Sequence, residues 1–578
     1  MSQRSIKPRV LSGLAMTSAV IVVLGVAACS SSGSSTAAGS TSSSPSSAMG
    51  TKTLVVESTP LSPLTQTFNP FSATSTGYTL HSTNLYYEPL FFFNILNPSQ
   101  APVPMLATAY SFSNGGKTLT LTTRSGVKWS DGKPFSAADV AFTFNLIAKN
   151  PALAQTGTPA PTSATASGPN TVVLNFAQPQ AGNLYLIGTQ AIVSQHVWQS
   201  VSNPSTYADA SPVGTGPYVL DKFTPQGILF KANPGYWNKS AVHVPEVDFP
   251  SYVSNTAAEQ ALESGQIDWA GNYITNVQNV FVAKDPAHNK VWFNNNPYMT
   301  SNNVVTLWLN TTRAPLNDPK VRQAISYAAD RQQLADQGET GYELPATSSS
   351  GLLLPVDQSL LQSQYANDLP ATSDASKVAS ILTSDGYTKV NGKWSKNGKT
   401  ISFSVEDPIS FSDFWLDVQL LTAQLNKLGF DAKADGIGNA TNWFTDQATG
   451  NFDSMIRWSN NGPTPYYYYY NWMDNSTSAP LGKTAANNFG RFNDPQAQSA
   501  LTQYVSSTDQ STQQSALNTL QGIMSAQTPV IPLLYGASWA EFSTRNYTGW
   551  PSQANPYTDP GPNPTQIEYV ILHLKPAS

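Results

Sequence analysis

The chain has 578 residues, of which 11% are charged and 11% aromatic, and its net charge is −5. Charged residues make up roughly 25% of an ordinary soluble protein, so Asn, Ser, Thr, Gln and Pro supply the polarity here. No basic patch marks nucleic acid as a partner, and the single cysteine, Cys29, excludes an internal disulfide and a cysteine-based metal cluster.

Residues 1–28 read as an export signal. Arg4, Lys7 and Arg9 precede an apolar run, and Val26-Ala27-Ala28 leads into Cys29. A cysteine directly after small residues resembles a lipobox, in which the thiol takes a diacylglycerol. A plain signal peptide or a signal anchor with a chance cysteine is the alternative. Residues 29–52 form the expected tether: Ser30 to Met49 is nearly all Ser, Thr, Ala, Gly and Pro, without charge. No later segment has 18 continuous apolar residues, so none is expected to span a membrane.

The folded part opens with a short strand at Thr53–Val56 and a turn at Asn69-Pro70-Phe71. The leucines at 80, 85 and 90 suggest a helix from Thr79 that stops before Pro89. Asn114-Gly115-Gly116 signals a hairpin, followed by the alternating Leu119, Leu121 and Thr123. Ser136 with Asp139 can cap a helix that puts Val140, Phe144 and Ile147 on one face. Gly214 and Gly216 suit backbone angles that other residues resist, at a passage where two lobes could be joined. Thr256 with Glu259 reads as a capping box, and Gly265 as the stop of that helix. Asp318-Pro319 starts a helix reaching Leu334, with Val321, Ile325, Ala328 and Ala329 as its core stripe. Arg322 and Arg331 on it are read as structural ion-pair partners. From Ile401 to Ile437 the pattern is strand, helix, strand, with Gly429 ending the helix, which indicates an α/β lobe.

The richest stretch is Met455 to Met473, MIRWSNNGPTPYYYYYNWM. It holds Trp458, Trp472, five consecutive tyrosines (Tyr466 to Tyr470) and one charge, Arg457. Asn460, Asn461, Gly462, Pro463 and Pro465 make its middle a turn. Rings with polar tips on a loop suit the wall of a ligand pocket. Five tyrosines in a row cannot all face one way, so two or three of the seven rings are expected to reach a ligand.

Five motifs in order carry a family resemblance: Arg124 to Asp139 (RSGVKWSDGKPFSAAD), Pro212 to Tyr218 (PVGTGPY), Asn233 to Trp237 (NPGYW), Asp318 to Leu334 (DPKVRQAISYAADRQQL) and Thr528 to Leu533 (TPVIPL). The chain resembles the family 5 extracellular solute-binding proteins, of the oligopeptide- and dipeptide-binding type that serves ABC importers. The resemblance implies a mixed α/β, two-lobed, periplasmic-binding-protein-like fold of the three-domain peptide-binding type, with a hinged cleft. The expected divisions are a first lobe at 53–302 with an inserted subdomain at about 90–211, a second lobe at 303–535 and a return to the first lobe at 536–578. It also implies a monomeric, lipid-anchored protein on the outer face of the cell membrane, which delivers a solute to the transmembrane subunits of an ABC permease.

In peptide-binding members an aspartate aligned with Trp458 to Pro465 is expected to hold the peptide's α-amino group. This chain has Trp458-Ser459-Asn460-Asn461-Gly462-Pro463 there, and Asp453 or Asp474 could substitute only from other positions. Neutral amides beside indoles suit hydroxyl-rich ligands, so an oligopeptide and a neutral oligosaccharide both stay open. The candidate ligand contacts are Trp458, Asn460, Asn461, Tyr466 and Trp472, with Trp443 and Trp539 behind them. A surface adhesion module would share the lipobox and tether but would need no enclosed pocket.

No catalytic constellation stands out. The three Gly-Lys-Thr triplets lack the earlier glycine of a phosphate loop, and there is no G-x-S-x-G or H-E-x-x-H. His81, His196, His243, His288 and His573 are isolated, which argues against a zinc site and leaves only a lone-histidine role with nickel or haem open. No enzyme activity, cofactor or metal is expected.

Overall fold

The computed structural model describes residues 49–578 apart from 155, 156 and 355. The export signal, Cys29 and most of the tether lie outside the described residues. Three main sheets organise the rest. In the first, Leu54–Glu57 pairs in parallel with Glu246–Pro250 and Trp269–Ala270. Tyr218–Thr224 and Gly227–Ala232 extend it on one side, Glu541–Ser543 and Asn289–Lys290 on the other. The second runs in the order Leu344–Pro345, Val530–Ser538, Thr300–Leu309, Ser454–Trp458, Ser402–Pro408, Asp431–Ile437. The third is an antiparallel sheet of Ala107–Ser113, Thr118–Thr123, Thr171–Asn175 and Ser163–Ala166.

Each lobe has its own core. Leu54, Phe68, Tyr86, Leu119, Phe144 and Phe230 belong to one, and Leu307, Ile325, Val405, Leu421, Ile456 and Tyr469 to the other. A smaller cluster, with Leu262, Ile274, Phe281, Met299, Tyr342 and Ala537, lies where the lobes meet. The chain passes between them through a strand pair: Thr300–Leu309 and Val530–Ser538 run antiparallel from Thr300 opposite Ser538 to Trp308 opposite Val530. The divisions expected after residues 302 and 535 fall inside this pair.

Local chemistry accounts for many element ends. Ser136 and Asp139 form a reciprocal capping box, and the helix Ala137–Lys149 buries Val140, Phe144 and Ile147. Asp318 accepts the Lys320 amide at 2.8 Å, and Pro319 opens the helix Pro319–Ala328. Ser412–Leu428 ends at Gly429, whose φ of 101° is readily adopted only by glycine. Asn114–Gly116 turns the hairpin between Ala107–Ser113 and Thr118–Thr123.

Five local expectations are corrected. Thr79 to Leu90 is not one helix. Single turns at Thr76–Thr79 and Thr83–Leu85 flank His81, whose φ of 57° breaks the run. The helix from Pro319 stops at Ala328, followed by a short turn, Arg331–Gln333. The cap of the helix Asn255–Glu263 is Ser254, which accepts from the Ala257 amide. Gly214 and Gly216 have ordinary backbone angles; they are needed for close approach, because a Cβ there would collide with the carbonyl oxygens of Tyr86 and Leu85. Arg322 and Arg331 are structural, but their partners are carbonyl oxygens rather than carboxylates. Arg322 donates to Thr528 O at 2.9 Å and Leu316 O at 2.8 Å, Arg331 to Pro532 O at 2.9 Å and Ser326 O at 3.0 Å.

Candidate functional site

A cavity of about 380 Å³ opens between the lobes. Its walls are strand ends. On the first lobe the parallel strands Leu54–Glu57 and Trp269–Ala270 run directly into Ser58-Thr59-Pro60 and Gly271-Asn272-Tyr273, which line it. On the second lobe, Ser402–Pro408 leads to Phe411, Asp413 and Phe414, and Ser454–Trp458 leads to Ser459, Asn460 and Asn461. Val530–Ser538 ends at Trp539, and the antiparallel Thr300–Leu309 brings its opening residues Asn302 and Asn303 to the same place. Carboxyl ends of strands are where α/β sheets expose loops and backbone for ligands.

The stretch rich in rings divides at Pro465. Its first half is strand and loop, as the glycine and prolines require, and Arg457 to Asn461 line the cavity. Trp458 is half-buried, with Trp443 and Phe414 behind it at 5.9 and 6.1 Å. Asn461 makes no side-chain hydrogen bond among the described residues. Asn460 is already engaged: its amide nitrogen Nδ2 donates to Asn487 at 2.9 Å and its backbone N–H to Asn471 at 3.0 Å.

The second half is a helix, Tyr466–Met473, rather than a loop, and all eight residues are buried. Successive helical side chains point about 100° apart, so a helix of rings all round must be enclosed. Tyr466 stacks on Tyr504 at 4.9 Å, and Tyr469 donates to Ser350 O at 2.8 Å. Trp472 packs against Tyr468 and Tyr469. Tyr467 and Tyr470 alone of this helix reach the cavity wall, while their hydroxyls donate to Gly182 O at 3.4 Å and Gly157 O at 3.0 Å. Burial raises all five phenols well above the ordinary tyrosine value.

Of the seven expected contacts, the structure brings Trp458, Asn460, Asn461 and Trp539 together on the cavity wall. Trp443, Tyr466 and Trp472 are core residues that do not line it. Asp453 and Asp474 do not line it either. Asp453 pairs with Arg313 at 3.1 Å, and Asp474 accepts the Ser476 amide at 2.8 Å. The acids on the wall are Asp413 and Glu343. Burial pushes Asp413 up to about 6, against hydrogen bonds from backbone N–H groups and from Asn255, and holds Glu343 well above the carboxylate range. Sequence spacing gave no sign of these two, because they come from separate elements that only the fold joins. His81 also lines the cavity; burial lowers it to about 4, with Nδ1 3.0 Å from Pro562 O. Among the described residues no group of His, Cys, Asp or Glu is arranged to hold a metal ion.

Residues 101–480 match the family model described as bacterial extracellular solute-binding proteins, family 5. The chain belongs to that family. It is therefore an extracytoplasmic substrate-binding protein of an ABC import system, and such proteins bind solutes rather than transform them. Among its relatives is a glutathione-binding protein of Salmonella typhi, 27% identical over 299 residues, with 49% of this chain and 53% of that protein covered. The chain thus spans about half the length of that relative. A Thermotoga maritima periplasmic oligopeptide-binding protein, solved with mannohexaose bound, has the same two-lobed fold at a TM-score of 0.82 and 23% identity, covering 91% of this chain and 98% of that one. The oligopeptide-binding protein AppA of Bacillus subtilis, solved with a nonapeptide, superposes at a TM-score of 0.75 and 20% identity, covering 92% and 100%.

Proposed function

We propose that this family 5 member captures an oligomeric solute, a peptide or an oligosaccharide, by closing its lobes over the cavity, and hands it to a membrane permease. The observation that carries the reading is the lining itself. Trp458 and Trp539 contribute indoles, and Asn461 and neighbouring amides from both lobes offer donors and acceptors together. Repeated units bearing both kinds of group are what such a wall recognises. The size fits a short oligomer, since ligand cavities commonly span about 300–1,000 Å³. The relatives' ligands, mannohexaose, a nonapeptide and glutathione, support the class. Within it, the amides beside indoles favour a sugar, while Asp413 on the wall favours a peptide, whose ammonium group it could hold.

A thermal-shift screen against short peptides and against cello-, xylo- and malto-oligosaccharides tests this. A ligand at a hundred times its dissociation constant adds about 2.7 kcal/mol. Stabilisation by sugars alone selects the first reading and by peptides alone the second; stabilisation by neither removes both. The anchor is a lipid on Cys29 in this reading. Cys29→Ser then moves the protein from the membrane fraction to the soluble one, and a variant that stays on the membrane excludes it.

A further inference from the structure

Four arginines of the second lobe are buried, and three are saturated by the chain. Arg322, Arg331 and Arg491 each donate to three or more backbone carbonyl oxygens. Arg457 differs. It is 7% exposed and lines the cavity, yet the one hydrogen bond of its side chain among the described residues is from Nη1 to its neighbour's carbonyl, Trp458 O, at 2.9 Å. Among the described residues its Nε is buried with no partner, and Nη2 makes no hydrogen bond. Among them too, no carboxylate lies within ion-pair distance, including the wall acids Asp413 and Glu343.

Three rings surround the guanidinium instead, those of Trp308, Trp458 and Phe489 at 5.4, 5.2 and 5.1 Å. They attract the cation and exclude water, but they accept no N–H. Desolvation lowers Arg457 to about 10, so it stays charged at neutral pH. A buried charge without a counter-charge is costly. With Nη1 held by Trp458 O and Nε closed off from the cavity, Nη2 is the nitrogen left to donate a charge-assisted hydrogen bond to a solute oxygen.

We propose that Arg457 is the receptor for one carboxylate of the bound solute, so that the protein selects acidic over neutral oligomers. The inference rests on the cavity being the solute site. The carboxylate could be the C-terminus of a peptide or the acid group of a sugar, and the test separates these.

Calorimetry of the purified protein would use two matched pairs: tetra-alanine with its C-terminal amide, and trigalacturonic acid with its methyl ester. In at least one pair the free acid is expected to bind about tenfold or more tighter. Preference in the peptide pair alone assigns a chain terminus; preference in the sugar pair alone assigns a uronic acid. In Arg457→Met the preference should fall to about one, while the unliganded protein melts no lower than the parent, because an unpaired buried charge has been removed. Arg457→Lys, which keeps the charge on a donor of different shape and reach, should retain part of the preference. Equal binding within both pairs overturns the proposal and leaves the oligomer reading standing. So does an undiminished preference in the Met and Lys variants. Failure of all four probes to bind overturns both.

Discussion

The two halves of the stretch from Ser454 to Met473 have opposite roles. The strand and loop up to Asn461 place one indole, Trp458, and two amides on the cavity wall; the helix after Pro465 places its rings in the core. The difference is one of periodicity and position. A strand that ends at a sheet edge leaves its last side chains half-buried, whereas a helix with rings on every face is stable only when surrounded. Aromatic density by itself therefore does not mark a binding surface.

This contrast can be broken in order of size. Trp472→Ala should destabilise the protein by about 4 kcal/mol, the cost of a large buried cavity, as measured by denaturant unfolding, with little change in the affinity of folded molecules. A milder loss would mean the helix is not core. Trp458→Ala should do the reverse, weakening solute binding by about 2 kcal/mol, the scale of an aromatic hot spot, with less effect on unfolding. Unchanged affinity in calorimetry would remove Trp458 from the site. Asn461→Ala, which breaks no hydrogen bond of the chain, should weaken binding by about 1 kcal/mol and leave the unliganded melting temperature unchanged.

The smallest expected effect is on pH. The tyrosines of the helix stay neutral at all ordinary pH values, but burial pushes Asp413 on the cavity wall up to about 6. It sits among Glu339, Glu343, Asp407 and Asp417, which burial keeps protonated to higher pH. A carboxyl raised in the folded state binds its proton more tightly there than when unfolded. Its stabilising contribution is present at low pH and is lost as pH rises from about 4 through about 6 and above. His81, lowered to about 4, acts in the opposite sense below the unfolded histidine value and limits the gain on the acid side. The melting temperature should therefore fall between pH 5 and pH 8, and Asp413→Asn should recover about 2 °C at pH 8, about half of that at pH 5 and little at pH 4. A melting temperature that rises over that interval would contradict the assignment.

Much of the architecture was legible in local signals, because caps, turns and strand alternation are chemistry between near neighbours. Ser136 with Asp139, Asp318-Pro319 and Gly429 each end or begin an element as their side chains require. Ordered motifs along the chain pointed to the family. The signals failed where distant backbone decides. Gly214 and Gly216 answer to the chain at Leu85 and Tyr86, and two of the carbonyls that hold Arg322, those of Gln527 and Thr528, lie about two hundred residues away.

The sequence by itself thus determined the local elements and the family, and it pointed to Trp458, Asn460, Asn461 and Trp539, since indoles and amides in loop-forming sequence tend to end at surfaces. Only the tertiary structure decided that Trp443, Tyr466 and Trp472 turn inward, that Asp413 and Glu343 join the wall, and that Arg457, alone among the buried arginines of its lobe, has a single carbonyl partner among the described residues. Whether a charge is satisfied depends on what folds against it, and neither spacing nor composition along the chain records that.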